Sequence, residues 1–174
     1  MIKTALYHLF VPMGRTSRRT FWITLAAFAA LVTVFKWGLF QHDTTGAVYF
    51  WGFLIWMTML FCGLFAIYGK RLKDFGRSVW AIVLLLTALI VVMMVLMLAF
   101  GGAEYFEAYS HYERKAEIDE AVKARINARY EERLASATPW VSTIMSAMIV
   151  GFTLWVGLAR GDAGTNRYGP PPIG

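Results

Sequence analysis

The sequence predicts an all-α fold: a polytopic membrane protein with four transmembrane helices, an N-terminal interfacial helix and a long charged extracytoplasmic helical segment. Three observations carry this. Ala47–Gly69 and Val79–Ala103 contain no charged residue, and at about 1.5 Å per residue each helix would exceed the roughly 30 Å of a bilayer's hydrocarbon core. Phe21–Phe40 and Pro139–Ala159 are two further apolar runs, so the four together cover about half of the 174 residues. Short basic segments separate the runs. With 58% hydrophobic residues and a mean hydropathy of +0.52, the chain is too apolar for an ordinary soluble domain, and what lies outside the spans is too little for a separate catalytic domain. A single membrane domain over residues 1–174 is expected.

Residues 1–13 place Ile2, Leu6, Leu9 and Phe10 at helical spacing, which reads as a helix lying along the membrane surface. Pro12 and Gly14 interrupt it. Ser17 is placed to cap the helix that follows, and Phe21-Trp22 to anchor its start among the headgroups. The basic residues 1–20 and the small residues Ala26, Ala27, Ala29 and Ala30 resemble a signal peptide. The apolar run continues to Phe40, however, longer than a signal core, so it is read as a retained first span.

The formal charge is +6. The cations lie beside apolar runs, so anionic membrane lipid explains them better than nucleic acid. Lys3, Arg15, Arg18 and Arg19 precede the first span. The loop 41–46 has no Lys or Arg. The loop 70–78 has Lys70, Arg71, Lys73 and Arg77, and the tail 160–174 has Arg160 and Arg167. Lys and Arg concentrate on the cytoplasmic side of membrane proteins, which places both termini and the loop 70–78 in the cytoplasm. The third loop, 104–138, carries six basic residues against ten on the other side, mild evidence in the opposite direction.

Within that loop, residues 104–134 lack Gly and Pro. Lys115–Asp119 and Asp119–Lys123 have the spacing of helical ion pairs, and Ile118, Val122, Ile126 and Tyr130 form an apolar stripe. Two readings stand: a solvated helical hairpin or extension resting on the membrane, and a docking surface for another membrane protein. The cluster Tyr105, Phe106, Tyr109 and Tyr112 suits the lipid interface.

Cys62, the one cysteine, reads as a small packing residue inside the second span, and the separated His8, His42 and His111 provide no metal-ligand pattern. Lys36 is the ionisable residue inside a span, near its outer end where it can snorkel. Thr58, Cys62 and Thr87 are the modestly polar residues of the middle spans. Proton- and ion-coupled carriers place carboxylates or broken helices at mid-membrane, so active transport is disfavoured. Thr143, Ala147 and Gly151 put small residues on one face of the fourth span, a helix-packing pattern whose partner is a helix of the same chain, a second copy or another membrane protein.

Three polar segments share the expected cytoplasmic side. They are Gly14-Arg15-Thr16-Ser17-Arg18-Arg19-Thr20-Phe21-Trp22, Lys70-Arg71-Leu72-Lys73-Asp74-Phe75-Gly76-Arg77-Ser78-Val79-Trp80, and Gly164-Thr165-Asn166-Arg167-Tyr168-Gly169-Pro170-Pro171-Pro172. In this order, between apolar spans, they resemble the bacterial inner-membrane family known as domain of unknown function 805, with its G-R-x-S-R-x-x-F-W, R-R-L-H-D-x-G-R-S-G-W and N-R-Y-G-x-P segments. The resemblance runs from Gly14 to Pro172 apart from the third loop, which looks like an insertion. Lys70 and Lys73 stand where the family tends to have Arg and His, and Val79 where Gly is usual. Lys73 argues against an imidazole proton relay there. The resemblance implies a small multi-span protein of the bacterial inner membrane, and no reaction.

Arg71 and Asp74 share a helix face, so Asp74 is placed to neutralise Arg71 or an arginine of the first segment. Arginine forks suit carboxylates and lipid phosphates alike. Arg15, Arg18, Lys70, Arg71, Asp74, Arg77, Asn166 and Arg167 therefore form the candidate site for an anionic headgroup or a partner. The competing reading makes them topology determinants and loop ion pairs. The turn-rich tail, with Asp162 and Asn166, reads as a folded cap. No cofactor or metal is implied, and no nucleophile–base pair is present. The expected role is thus a non-catalytic accessory, scaffold or regulatory protein. An oligomeric channel or transporter component is the alternative, and an envelope-lipid enzyme using Asp74 and Asp162 ranks last.

Overall fold

The computed structural model describes residues 9–39, 41, 46–111 and 118–172, and among these the regular structure is helical, with no strand. The helices are α1 (Arg18–Leu39), α2 (Ala47–Asp74), α3 (Trp80–Met97), α4 (Ala103–Ser110) and α5 (Glu120–Leu158), with a π-helical turn over Leu98–Gly102 between α3 and α4. Four stretches are long and apolar enough to cross a membrane: Arg18–Leu39, Ala47–Asp74, Trp80–Ser110 and Glu120–Leu158. The most apolar of them, Trp80–Ser110, has 6% of its apolar window buried within the chain. A water-soluble domain would hide that helix most completely. Trp37, Leu84 and Trp140 are likewise exposed, the inside-out pattern that lipid solvates.

The chain forms two compact units, residues 1–83 with 153–174, and residues 84–152. In the first, α1 packs on α2 around Phe21, Phe28, Ala66 and Ile67. Ser17 caps α1 as its sequence suggests. Its hydroxyl accepts from the Thr20 amide at 3.3 Å, and its carbonyl accepts from the Phe21 amide at 2.9 Å. Phe21 departs from expectation. It is fully buried, edge-on to Tyr68 with ring centres 5.4 Å apart, while Trp22 is 36% exposed. Phe21 is therefore a core residue, and only Trp22 of the pair has an anchor's exposure. Cys62 is exposed on α2 and fills no interior gap. Of the expected surface helix over 1–13, residues 1–8 lie outside the described residues, and the Phe10 ring rests edge-on against Phe28.

Gly63 sets the α1–α2 spacing, because a Cβ there would overlap the Phe28 ring. Gly63→Ala is expected to cost about 1–3 kcal/mol through overpacking. Thermal unfolding in mild detergent reads this directly, and Phe28→Leu in the same chain should recover much of the loss.

In the second unit residues 104–134 hold two helices packed on one another, α4 and the start of α5, with residues 112–117 outside the described residues. Tyr105 of α4 packs on Tyr130 of α5 at 4.7 Å, and the Tyr109 hydroxyl donates to Asn127 Oδ1 at 3.2 Å. The anticipated Asp119–Lys123 pair is replaced. Asp119 turns its carboxylate to the Ala121 amide at 2.9 Å, capping α5, and Lys123 pairs with Glu120 at 2.6 Å. An N-terminal carboxylate is better used on unpaired helix amides than on an exposed ion pair. The Lys115–Asp119 pair, Tyr112 and most of the loop 41–46 lie outside the described residues. Ile118 is buried and Val122, Ile126 and Tyr130 are half-buried, so the apolar stripe does face inward. Helix α5 is continuous through Pro139, so the charged segment and the fourth span belong to one helix. The expected third span over 79–103 ends its regular α-helix at Met97, where the π turn begins. Thr143, Ala147 and Gly151 are exposed, and a Cβ on Gly151 would meet nothing.

Candidate functional site

The site is built at the end of α2. This helix continues five residues past its apolar run, carrying Lys70, Arg71, Lys73 and Asp74 into its last turns rather than into a loop. Gly76 then adopts a left-handed φ of 71°. The Gly76 amide bonds the Lys73 carbonyl at 3.2 Å and the Arg77 amide bonds the Leu72 carbonyl at 2.9 Å. This Schellman cap satisfies the last carbonyls and turns the chain sharply, so Arg71 and Asp74 are held on rigid backbone.

Asp74 receives two guanidinium groups. Arg15 Nε donates to Asp74 Oδ1 at 3.2 Å, and Arg71 Nη1 donates to Asp74 Oδ2. The three side chains are between 1% and 4% exposed. Asp74 thus neutralises both of the arginines that its position suggested. The remaining donors of Arg15 go to main-chain oxygens. Nη1 reaches the carbonyls of Gly164 at 2.8 Å and Gly169 at 3.0 Å, and Nη2 reaches those of Asp74 at 3.1 Å and Asp162. A guanidinium has five N–H groups, and every one is used.

Arg71 is fully buried and caps the far end of α5. Its Nε donates to the Val156 carbonyl at 3.2 Å, Nη2 to the Ala159 carbonyl, and Nη1 also to the Thr16 carbonyl at 3.2 Å. Carbonyls in a helix's last turn lack intrahelical partners and carry the negative end of its dipole, so a cation there is favoured twice. Arg18 adds a second donor to the Ala159 carbonyl at 3.1 Å, from an exposed position.

The tail closes the site. The Asp162 amide bonds the Asp74 carbonyl at 2.8 Å. Asn166 Nδ2 donates to the Lys73 carbonyl at 3.0 Å and to Asp162 Oδ2 at 2.7 Å, while its Oδ1 accepts from the Tyr168 amide. Arg167 Nη2 reaches the Gly76 carbonyl at 3.0 Å. Gly161 passes so close to Asp74 that a Cβ would overlap its carboxylate. Lys73 donates to the Pro12 carbonyl at 2.7 Å, fastening the N-terminal segment.

The structure therefore brings Arg15, Arg18, Arg71, Asp74, Asn166 and Arg167 together, joining all three polar segments. Lys70 is buried at 2% exposure, and Arg77 is exposed beside the cap. Arg15 and Arg71 do not offer their forks outward. Sequence reasoning did not single out Thr16, Val156, Ala159, Gly161, Gly164 or Gly169, because a carbonyl acceptor has no side-chain signature. The glycines of the tail were the one visible hint of close backbone approach.

A family model described as "Protein of unknown function (DUF805)" matches residues 9–111. The matched range holds the first two polar segments but not the third. No curated protein and no solved structure matches the chain.

Proposed function

The chain belongs to the DUF805 family of proteins of unknown function, and from that premise we propose that it is a non-catalytic protein of the bacterial inner membrane, an accessory or scaffold with a basic cytoplasmic face that engages anionic lipid headgroups. The observation that carries this reading is the complete use of Arg15's five donors by the protein itself. A residue spent in this way holds structure. It has no donor left for a substrate phosphate or a developing charge, as a catalytic arginine would need. The family-like segments thus build a cap that ties α1, the end of α2 and the tail together.

Around the cap, Arg18, Arg19, Arg77, Arg160 and Arg167 are exposed. Basic residues at a membrane surface each attract anionic lipid by about 1 kcal/mol. The ten Lys and Arg of this side against six on the other support cytoplasmic termini. The lipid-binding role therefore moves from Arg15 and Arg71, where the sequence suggested it, to this rim.

Native mass spectrometry after gentle extraction tests the reading. Replacing Arg19, Arg77 and Arg160 by Gln should reduce retained phosphatidylglycerol and cardiolipin while leaving the melting temperature unchanged. Wild-type retention in that variant would overturn rim binding. A reproducible heteromeric mass would support the accessory role, and a homo-oligomer would favour a channel instead.

A further inference from the structure

The unit formed by residues 84–152 carries a second feature, unrelated to the cap. At the π turn Gly101 takes a left-handed φ of 116°, and a Cβ there would press on Arg133 Cβ at 3.2 Å. Glycine lets this kink come against α5. Two cavities flank the contact. One, of about 160 Å³, is lined by Arg125, Arg129, Arg133, Tyr105, Tyr130 and Glu104, among others. The other, of about 280 Å³, is lined chiefly by apolar groups, including Met93, Met97, Phe100, Leu134 and Val141. On α5 the linings step along one face, through Ile126, Tyr130 and Arg133 in the first cavity and Ala137 and Val141 in the second, so the two lie in succession along a single grooved face.

We infer that this groove binds one anionic phospholipid, with its phosphate at Arg125 and Arg129 and an acyl chain in the apolar half. The charge balance favours an anion, with three guanidinium groups to one carboxylate. Glu104 pairs with Arg133 at 3.1 Å and more loosely with Arg129 at 3.6 Å. Arg125 has no ion pair among the described residues. The tyrosine rings supply the amphipathic wall typical of the headgroup layer. Length agrees as well: Arg129 to Val141 rises about 18 Å along α5, close to one headgroup plus one leaflet of a hydrocarbon core roughly 30 Å thick. A soluble anion would use the basic half alone, whereas a lipid uses both.

The full chain in phosphatidylcholine nanodiscs containing a small fraction of phosphatidylglycerol provides the test. Native mass spectrometry on release should show one tightly retained phosphatidylglycerol. Arg125→Gln with Arg129→Gln should weaken that retention by about thirtyfold, two surface cations' worth. Both positions are exposed, so the fold should survive. Thr138→Phe, which fills the apolar half from an exposed position, should expel the lipid with the arginines intact. The rim variant with Gln at positions 19, 77 and 160 should keep it. Unchanged retention in either groove variant would overturn the inference, as would displacement of the lipid by inorganic phosphate, which would identify a free-phosphate site.

Discussion

Asp74→Asn is expected to be the most damaging conservative substitution in the chain, lowering stability by about 3–5 kcal/mol. The amide keeps the shape of the carboxylate but loses its charge. Arg15 and Arg71, each about 1% exposed at the side chain, would then share a dry site with no counterion. Burying a charge is tolerable only when it is paired and hydrogen-bonded. The amide nitrogen would also face one guanidinium as a donor against a donor. Thermal unfolding in mild detergent should show a large drop for Asp74→Asn and a small one for Asp162→Asn. The Asp162 carboxylate is exposed and bonds one amide nitrogen, and such contacts contribute about 1 kcal/mol or less. Equal melting of the two variants would mean that the buried arginines are held by carbonyls alone.

Most of the helical plan is legible in the sequence because lipid imposes a strong length and polarity rule. The four apolar runs became the four long helices, Ser17 became a cap, and the i,i+3 spacing of Arg71 and Asp74 correctly joined them. The misplaced polar groups share one cause: they were assigned to water or lipid when they were bonded to protein. Lys70, Arg71, Lys73 and Asp74 looked like a loop because they are charged, yet they complete α2. Arg15 and Arg71 looked like headgroup ligands, and their acceptors are carbonyls of Thr16, Val156, Ala159, Gly164 and Gly169. Any residue can supply a carbonyl, so only the fold reveals which ones converge. The charged helical segment leaves a hairpin and a continuous extension both open at the sequence level. Residues 104–134 contain neither Gly nor Pro, and the Tyr105–Tyr130 contact that joins α4 to α5 is a tertiary preference that local propensity does not record. The kink at Gly101 does have a trace in the sequence, the Gly101-Gly102 pair at the end of an apolar run.

Arg15→Lys separates charge from geometry at the same site. Lysine keeps the positive charge near Asp74 but brings three donors on one nitrogen in place of five spread over a planar fork. It can follow the carboxylate or the tail carbonyls, but not all of them at once. At least two of the carbonyls of Asp74, Asp162, Gly164 and Gly169 would lose a partner; those of Asp74 and Gly169 keep an amide donor, from Asp162 and Asn166, whereas those of Asp162 and Gly164 would cost roughly 1–3 kcal/mol each when no water replaces the guanidinium. The expected loss is about 3 kcal/mol, smaller than that of Asp74→Asn because the ion pair persists. Its location differs too. Arg15 is the side chain that gathers the carbonyls of residues 162, 164 and 169, so the tail should become cleavable by trypsin at Arg160 and Arg167 while the helices stay protected. Arg18→Lys, which alters a single exposed bond, should leave both melting and cleavage near wild type. If Arg15→Lys melts earlier with the tail still protected, the tail is held by Asn166 and Arg167 instead. A double-mutant cycle with Asp74→Asn would then measure how much of the Arg15 contribution is charge pairing.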